Sequence, residues 1–83
     1  MGPSVDLSIL ALLEEHGSLA YEQIAAQLNR PPDLVRNALV DLRNRGFVDV
    51  LRVGELEGNR TRAAAYWRLT DAGRAELAQR RST

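Results

Sequence analysis

The sequence predicts an α+β fold made of three helices, a β-hairpin and a short last helix. Up to Gly46, apolar residues recur at the three- and four-residue spacing of amphipathic helices. From Phe47, a run of β-branched and aromatic residues that is too short for another helix ends at Gly54. After Thr70, helical spacing returns and continues to about Arg80. These three observations together favour the α+β class.

The first predicted helix covers about residues 4–16. Ser4 is a favoured N-cap residue, and Gly17 is the residue type that most often follows a helix C-terminus. Leu7 and Leu10 lie partly outside the main apolar stripe, so we expect them to contact a neighbouring element or a second subunit. The stripe itself consists of Val5, Ile9, Leu12 and Leu13.

The second and third predicted helices cover about residues 20–28 and 32–45, after the short segment Ser18–Leu19. Asn29 tolerates the left-handed conformation that ends a helix. Proline cannot continue a helix but is favoured in the first turn of a new one, so Pro32 begins the third helix. Two helices joined by such a short turn form a helix-turn-helix candidate.

The third helix divides into two faces, since successive residues rotate by about 100°. The predicted buried face is apolar and comprises Leu34, Val35, Ala38, Leu39 and Leu42. The opposite face is mixed and comprises Asp33, Arg36, Asn37, Val40 and Asn44. Arg43 lies at one border between the faces and Asp41 at the other. This pattern suits a helix that packs on its own domain and presents polar groups outward.

The predicted hairpin covers about residues 47–69. Phe47–Val53 is its first strand, and Ala64–Leu69 is the returning strand. The polar, glycine-containing stretch Gly54–Arg62 between them predicts a long flexible loop.

The last predicted helix covers about residues 71–80 and is capped by Thr70. Asp71 lies at the positive end of the helix dipole, and Arg80 lies at the negative end. The sequence shows no internal repeat, so we expect one domain over residues 1–83.

This order of elements is that of a winged helix-turn-helix domain, and several stretches resemble known regulators. The helix-turn-helix part resembles bacterial and archaeal winged-helix transcription regulators in Ile24-Ala25-x-x-Leu28-Asn29, Leu34-Val35-Arg36-Asn37-Ala38-Leu39-x-x-Leu42 and Arg45-Gly46-Phe47-Val48. The closing strand and helix start resemble the MarR and PadR families in Tyr66-Trp67-Arg68-Leu69-Thr70-Asp71-Ala72-Gly73-Arg74-x-x-Leu77. The resemblance covers about residues 5–80. It implies that the third helix enters the major groove of DNA, and that the hairpin, or wing, lies along the backbone or in the minor groove.

Composition argues against several classes of function. Cysteine is absent and histidine occurs once, which excludes disulfides, thiolate catalysis and Cys/His zinc sites. No phosphate-binding glycine loop and no nucleophile–base pair is present, so neither an enzyme nor a cofactor is predicted. Apolar stretches such as Ile9–Leu13 are shorter than the roughly 20 residues of a membrane span, and no signal peptide opens the sequence. We therefore expect a cytoplasmic protein.

The net charge of zero conceals a division along the chain. Residues 1–29 contain four acidic residues and no arginine, which gives minus four. Residues 30–83 contain all eleven arginines and seven acidic residues, which gives plus four. A neutral domain divided in this way can present a basic surface to nucleic acid. Chance segregation in a short chain is the alternative explanation.

Base recognition is predicted for the mixed face of the third helix. Arginine pairs with guanine, asparagine forms two hydrogen bonds with adenine, and an apolar side chain contacts the thymine methyl group. Arg36, Asn37 and Val40 provide all three types. An ordinary solvated helix face is the alternative. The predicted DNA-binding set also includes residues at the helix start, at its border and in the wing: Arg30, Pro32, Asp33, Arg43, Asn44, Arg60 and Arg62.

Carboxylates and one substitution set this sequence apart from the MarR pattern. Glu55 and Glu57 are close enough to pair with the two wing arginines across the hairpin, although exposed pairs of this kind contribute little. Asp33 and Asp41 would repel phosphates, unless Asp33 caps the helix or contacts cytosine. Asp49-Val50 stands where many MarR-type domains carry an arginine.

The sequence therefore predicts a sequence-specific regulator of transcription that binds double-stranded DNA. We expect a homodimer, because one recognition helix reads only a few base pairs. A winged-helix module that binds a protein and not DNA is the alternative. A continuous basic surface along the predicted arginines favours DNA, whereas their pairing with nearby carboxylates favours a protein partner.

Overall fold

The computed structural model describes residues 4–57 and 60–82, and the side chains of residues 4–52 and 65–82. Within these ranges, four helices and a three-stranded antiparallel sheet confirm the predicted α+β class. In chain order the elements are α1 (Val5–His16), β1 (Ser18–Leu19), α2 (Tyr21–Leu28), α3 (Pro32–Asn44), β2 (Val48–Glu57), β3 (Arg60–Leu69) and α4 (Asp71–Ser82).

Local sequence determines the start of α1 and the C-terminal ends of α1 and α2 as predicted. The Leu7 N–H donates to the Ser4 hydroxyl at 3.3 Å, which confirms the N-cap of α1. Gly17 has φ 86° and Asn29 has φ 53°, so both helices end in residues with positive φ.

The start of α2 is stabilised by an interaction that was not predicted. Ala20 occupies the N-cap position and has no side-chain acceptor. Gln23 Oε1 instead accepts a hydrogen bond from the Ala20 N–H at 2.9 Å. This is one half of a capping box, in which the third helical residue reaches back to the cap.

The sheet has the strand order β1-β3-β2, so β3 is central. β2 and β3 pair in one continuous register that ends with Glu57 opposite Arg60, and Ser18–Leu19 pairs with the other edge of β3. The predicted long loop over Gly54–Arg62 is therefore wrong. Polar residues with low strand propensity still complete a backbone ladder once the strands are aligned. Only residues 58–59 of that stretch lie outside the described part of the chain.

The core lies between the helices and the base of the sheet, and it bears on two predictions. Leu10 is completely buried, so of the two contacts expected for it, a neighbouring element or a second subunit, the first is the one observed. α1 contacts α2, α3, β3 and α4, which buries a wider face than one stripe. Leu34 was predicted to be buried but is 42% exposed, because it lies in the first turn of α3, where side chains tilt toward the helix N-terminus. The buried apolar residues are Ile9, Leu10, Leu13, Ile24, Ala25, Val35, Leu39, Leu42, Val48, Trp67, Leu69 and Leu77.

A close contact joins the start of α4 to the corner between α3 and β2. The Thr70 hydroxyl accepts a hydrogen bond from the Gly73 N–H at 3.0 Å, which confirms the predicted cap, and donates one to the Gly46 carbonyl at 2.6 Å. The Thr70 N–H donates to the Phe47 carbonyl at 3.1 Å. A Cβ atom at Gly73 would overlap that same carbonyl oxygen, so the approach requires glycine. The corner therefore holds the end of α3, the base of the hairpin and α4 together.

Candidate nucleic-acid interface

All the residues of α3 that were predicted to face outward are exposed, and Leu34 is exposed as well. Val35, Leu39 and Leu42 anchor the opposite side of the helix in the core. Val40 is 44% exposed, and helical residues four positions apart lie about 5–6 Å apart at Cβ, so Val40 lies between Arg36 and Asn44 on one continuous surface. The exposed predicted residues of this helix are Pro32, Asp33, Arg36, Asn37, Val40, Arg43 and Asn44.

The turn that leads into α3 places Arg30 and Pro32 beside this surface. The Arg30 N–H donates to the Ala25 carbonyl at 3.1 Å, which fastens the turn to the end of α2. Pro31 is the N-cap residue of α3, and no side-chain hydrogen bond caps the helix. The capping role considered for Asp33 is therefore not observed. Its carboxylate lies in the first turn, where the helix dipole favours negative charge.

The described arginines fall into a paired group and an unpaired group. Arg30, Arg36 and Arg43, which lie on or beside the outer surface of α3, have no ion-pair partner among the described side chains. The arginines with an ion pair lie at the end of α3, at the base of β3 and on α4: Arg45, Arg68, Arg74, Arg80 and Arg81. Unshared positive charge is therefore concentrated at the predicted DNA-binding face.

Arg45 offsets the carboxylate at the border of this face. Its guanidinium lies 3.0 Å from Asp41 Oδ2 and 3.8 Å from Asp6 Oδ2, so it connects the end of α3 with the start of α1. Asp41 was predicted to repel phosphates, and the ion pair reduces that repulsion. Asp6 and Arg45 are 39 positions apart, so sequence spacing alone did not indicate this contact.

Two of the predicted wing residues, Arg60 and Arg62, lie in β3 among residues whose side chains are not described. The backbone register sets Arg60 opposite Glu57 and Arg62 opposite Glu55. Opposite charges at facing positions of an antiparallel pair stabilise each other modestly. The register is therefore compatible with the predicted competition between cross-strand pairing and phosphate binding.

Arg52 is an exposed cation of the wing that was not predicted as a site residue. Val48 is buried and Val50 is half-buried, and Arg52 follows them at the two-residue period of a strand. It has no ion-pair partner among the described side chains. The alternation of these three residues is visible in the sequence and is the signal by which Arg52 could have been found.

Two other kinds of site are absent from the part of the chain that the structure describes. No group of three or more His, Cys, Asp or Glu side chains there has an arrangement that could hold a metal ion. None of the helices in these ranges is both long and apolar enough to cross a bilayer.

A comparison with protein families shows to which family the chain belongs. Residues 4–82 match the family model described as TFIIE alpha subunit. The chain belongs to the TFIIE alpha subunit family. The sequence resemblance had pointed to the MarR and PadR families and had not named this one. Among curated proteins, none matches this TFIIE alpha family member significantly in sequence.

Solved structures of bacterial proteins share the fold of this TFIIE alpha family member. YusO from Bacillus subtilis is 26% identical with a TM-score of 0.72, over 89% of this chain and 49% of that one. PadR from Bacillus subtilis, in complex with operator DNA, is 22% identical with a TM-score of 0.75, over 90% and 45%. A ZitR mutant from Lactococcus lactis in complex with DNA is 23% identical with a TM-score of 0.72, over 99% and 52%. ZitR is described as a zinc-responsive MarR family member.

These likenesses confirm the predicted winged-helix regulator fold of the MarR and PadR type. Another neighbour with this fold, BldR from Sulfolobus solfataricus, is described as a transcriptional regulator. The TFIIE alpha family member spans about half the length of the solved structures it matches.

Proposed function

We propose that the protein is a transcriptional regulator that binds double-stranded DNA in a sequence-specific manner. α3 enters the major groove, and the β2–β3 hairpin lies along the backbone or in the minor groove as a wing. Arg36, Asn37 and Val40 contact base edges. The other proposed contacts lie in the turn, on α3 and in the wing: Arg30, Pro32, Asp33, Arg43, Asn44, Arg60 and Arg62.

The distribution of ion pairs is the observation that carries this proposal. Arg30, Arg36 and Arg43 have no carboxylate partner among the described side chains, whereas the described arginines of α4 are paired. A paired arginine must give up or share its carboxylate when it binds a phosphate, but an unpaired one brings its full charge. Phosphate contacts dominate affinity for DNA, so this distribution favours DNA over an uncharged partner.

Two of the structural neighbours support the same proposal. PadR was solved with operator DNA and ZitR with DNA, and both share the winged-helix fold of this chain. A protein that reads a palindromic site with one helix from each subunit must be a dimer, so we propose a homodimer. The half-buried Leu7 and the exposed face of α4 are its candidate contacts. Sedimentation equilibrium tests this, and a monomer at high concentration contradicts it.

The test of DNA binding is a titration with random-sequence duplex DNA at about 50 and 200 mM salt, followed by selection of the preferred site. We expect binding that weakens steeply with salt. Arg36→Ala should lower affinity for the selected site by about 1–3 kcal/mol and affect random DNA much less. Arg74→Ala is the matched control, since it removes the same charge from α4, where Asp71 lies 3.5 Å away. An equal loss on every sequence for Arg36→Ala contradicts its reading role.

A protein-interaction module is the second candidate, and two observations favour it. The net charge is zero, and Asp33 is exposed on the same face as the unpaired arginines. The matching family model is described as a subunit, which is a component of a larger assembly. A folded protein that does not bind duplex DNA at the lower salt supports this candidate over the first.

A further inference from the structure

The charges of the outer half of the wing cancel in the observed register. β2 contributes Glu55 and Glu57, and β3 contributes Arg60 and Arg62, so two negative and two positive residues sum to zero. The register sets each of these arginines directly opposite one of the glutamates. Facing positions of opposite charge attract each other in an antiparallel pair. These four residues therefore add no net charge to this end of the wing.

Arg52 has neutral neighbours instead. The register sets it opposite Ala65, and the positions next to it along β2 are Leu51 and Val53. The diagonal position on β3 toward the core is Trp67, which is also uncharged. Arg52 is exposed, and no described carboxylate pairs with it. Among the arginines of the hairpin, Arg52 is therefore the one that lies opposite an uncharged residue of the other hairpin strand.

Arg52 also lies on the side of the sheet that carries α3. Val48 belongs to the same core cluster as Leu39 and Leu42 of α3, and this defines the helix side of β2. Residues two and four positions further along a strand return to the same side, so Val50 and Arg52 share it. At about 3.3 Å per residue, Arg52 is roughly 13 Å beyond Val48. It therefore extends the helix side of the hairpin past the edge of the core.

We infer that Arg52 is the principal phosphate contact of the wing and binds the DNA backbone while α3 occupies the adjacent major groove. The inference rests on the proposed DNA-binding function and adds a residue to the predicted set. It gives Arg60 and Arg62 a smaller part, because the register sets a glutamate opposite each of them.

The test compares three variants in titrations with random-sequence duplex DNA between about 50 and 200 mM salt. Each phosphate contact contributes about 0.9 to the slope of log affinity against log salt. Arg52→Gln keeps a polar side chain and removes the charge, so the slope should fall by about 0.9, and the loss of affinity should be about 3.5-fold larger at the lower salt. Arg52→Lys should retain the wild-type slope. Arg62→Gln should change the slope by less than half as much as Arg52→Gln.

The possible failures are distinguishable. A wild-type protein that binds with a steep salt dependence, together with an unchanged slope for Arg52→Gln, overturns the inference and leaves the proposed function intact. A larger change for Arg62→Gln than for Arg52→Gln overturns it as well. A wild-type protein without salt-dependent binding overturns the proposed function, and the inference with it. Circular dichroism melting of each variant is the folding control, and we expect no shift for Arg52→Gln because the side chain is exposed.

Discussion

Replacing Gly73 with alanine tests the contact between α4 and the corner that follows α3. Helix propensity alone predicts that alanine stabilises the protein, since glycine in a helix is less favourable by about 1 kcal/mol. The structure predicts the opposite sign. A Cβ atom would overlap the Phe47 carbonyl oxygen, and it would lie 2.9 Å from the Phe47 carbonyl carbon and 3.1 Å from Leu69 Cδ2. The obstacle is backbone, which cannot move aside as a flexible side chain can.

The magnitude follows from two destabilising effects that outweigh propensity. Overpacking of this kind costs about 1–3 kcal/mol. A shift of α4 that relieves the overlap also weakens the Thr70 hydrogen bonds to the Gly46 and Phe47 carbonyls, each worth about 1 kcal/mol. After subtraction of about 1 kcal/mol for propensity, we expect the free energy of unfolding to fall by about 2 kcal/mol. In a domain of this size, that lowers Tm by roughly 8–16 °C.

Urea unfolding of Gly73→Ala can be followed by the fluorescence of Trp67, which is the single tryptophan of the chain and is 8% exposed. Ala75→Gly is the control, because Ala75 lies on the exposed side of α4. It should lower the free energy of unfolding by about 1 kcal/mol through propensity alone, which calibrates that effect in this helix. A Gly73→Ala protein as stable as the wild type, or more stable, would refute the requirement for glycine at this contact.

Three further predictions concern hydrogen bonds and ion pairs. Arg45→Ala should lower the free energy of unfolding by less than about 1 kcal/mol but weaken DNA binding at low salt, because Asp41 loses its partner. Adding Asp41→Asn should restore the affinity for DNA. A double variant that binds as weakly as Arg45→Ala contradicts this reasoning. Thr70→Val should lower the free energy of unfolding by about 1–2 kcal/mol, since both hydroxyl hydrogen bonds are lost. Thr70→Ser should retain most of that stability in the same urea titration, and equal losses for both would show that the hydroxyl is unimportant. Gln23→Ala should lower the free energy of unfolding by about 0.5–1 kcal/mol in thermal melts, because the Ala20 N–H loses its acceptor; an unchanged Tm argues against the capping role.

The sequence predictions succeeded where a feature depends on a few neighbouring residues. The Ser4 cap, the positive φ of Asn29 and the Thr70 cap were predicted from residue type and position. The wing shows the limit of the same reasoning. Gly54–Arg62 has the composition of a loop, yet β2 and β3 continue through most of it, because the two strands pair with each other there and the backbone ladder does not depend on side-chain type.

The exposure of α3 shows which features of the candidate site follow from helical periodicity and which depend on tertiary packing. Helical rotation correctly predicted that Arg36 and Val40 face away from the buried Leu39. The same rotation placed Leu34 in the core, but at the start of the helix the core extends only as far as Val35. Periodicity gives the direction of a side chain, whereas burial depends on whether another element lies in that direction.

The sequence by itself therefore determined the helices, their caps and the face of α3 that carries Arg36, since capping and periodicity act within one or two turns of the chain. Only the tertiary structure decided which arginines have an ion-pair partner among the described side chains. Arg81 pairs with Glu14 at 2.8 Å across a separation of 67 residues, and Arg45 pairs with Asp6 at 3.8 Å. An ion pair forms where folding brings two segments together, and the spacing of charges along the chain does not specify that distance.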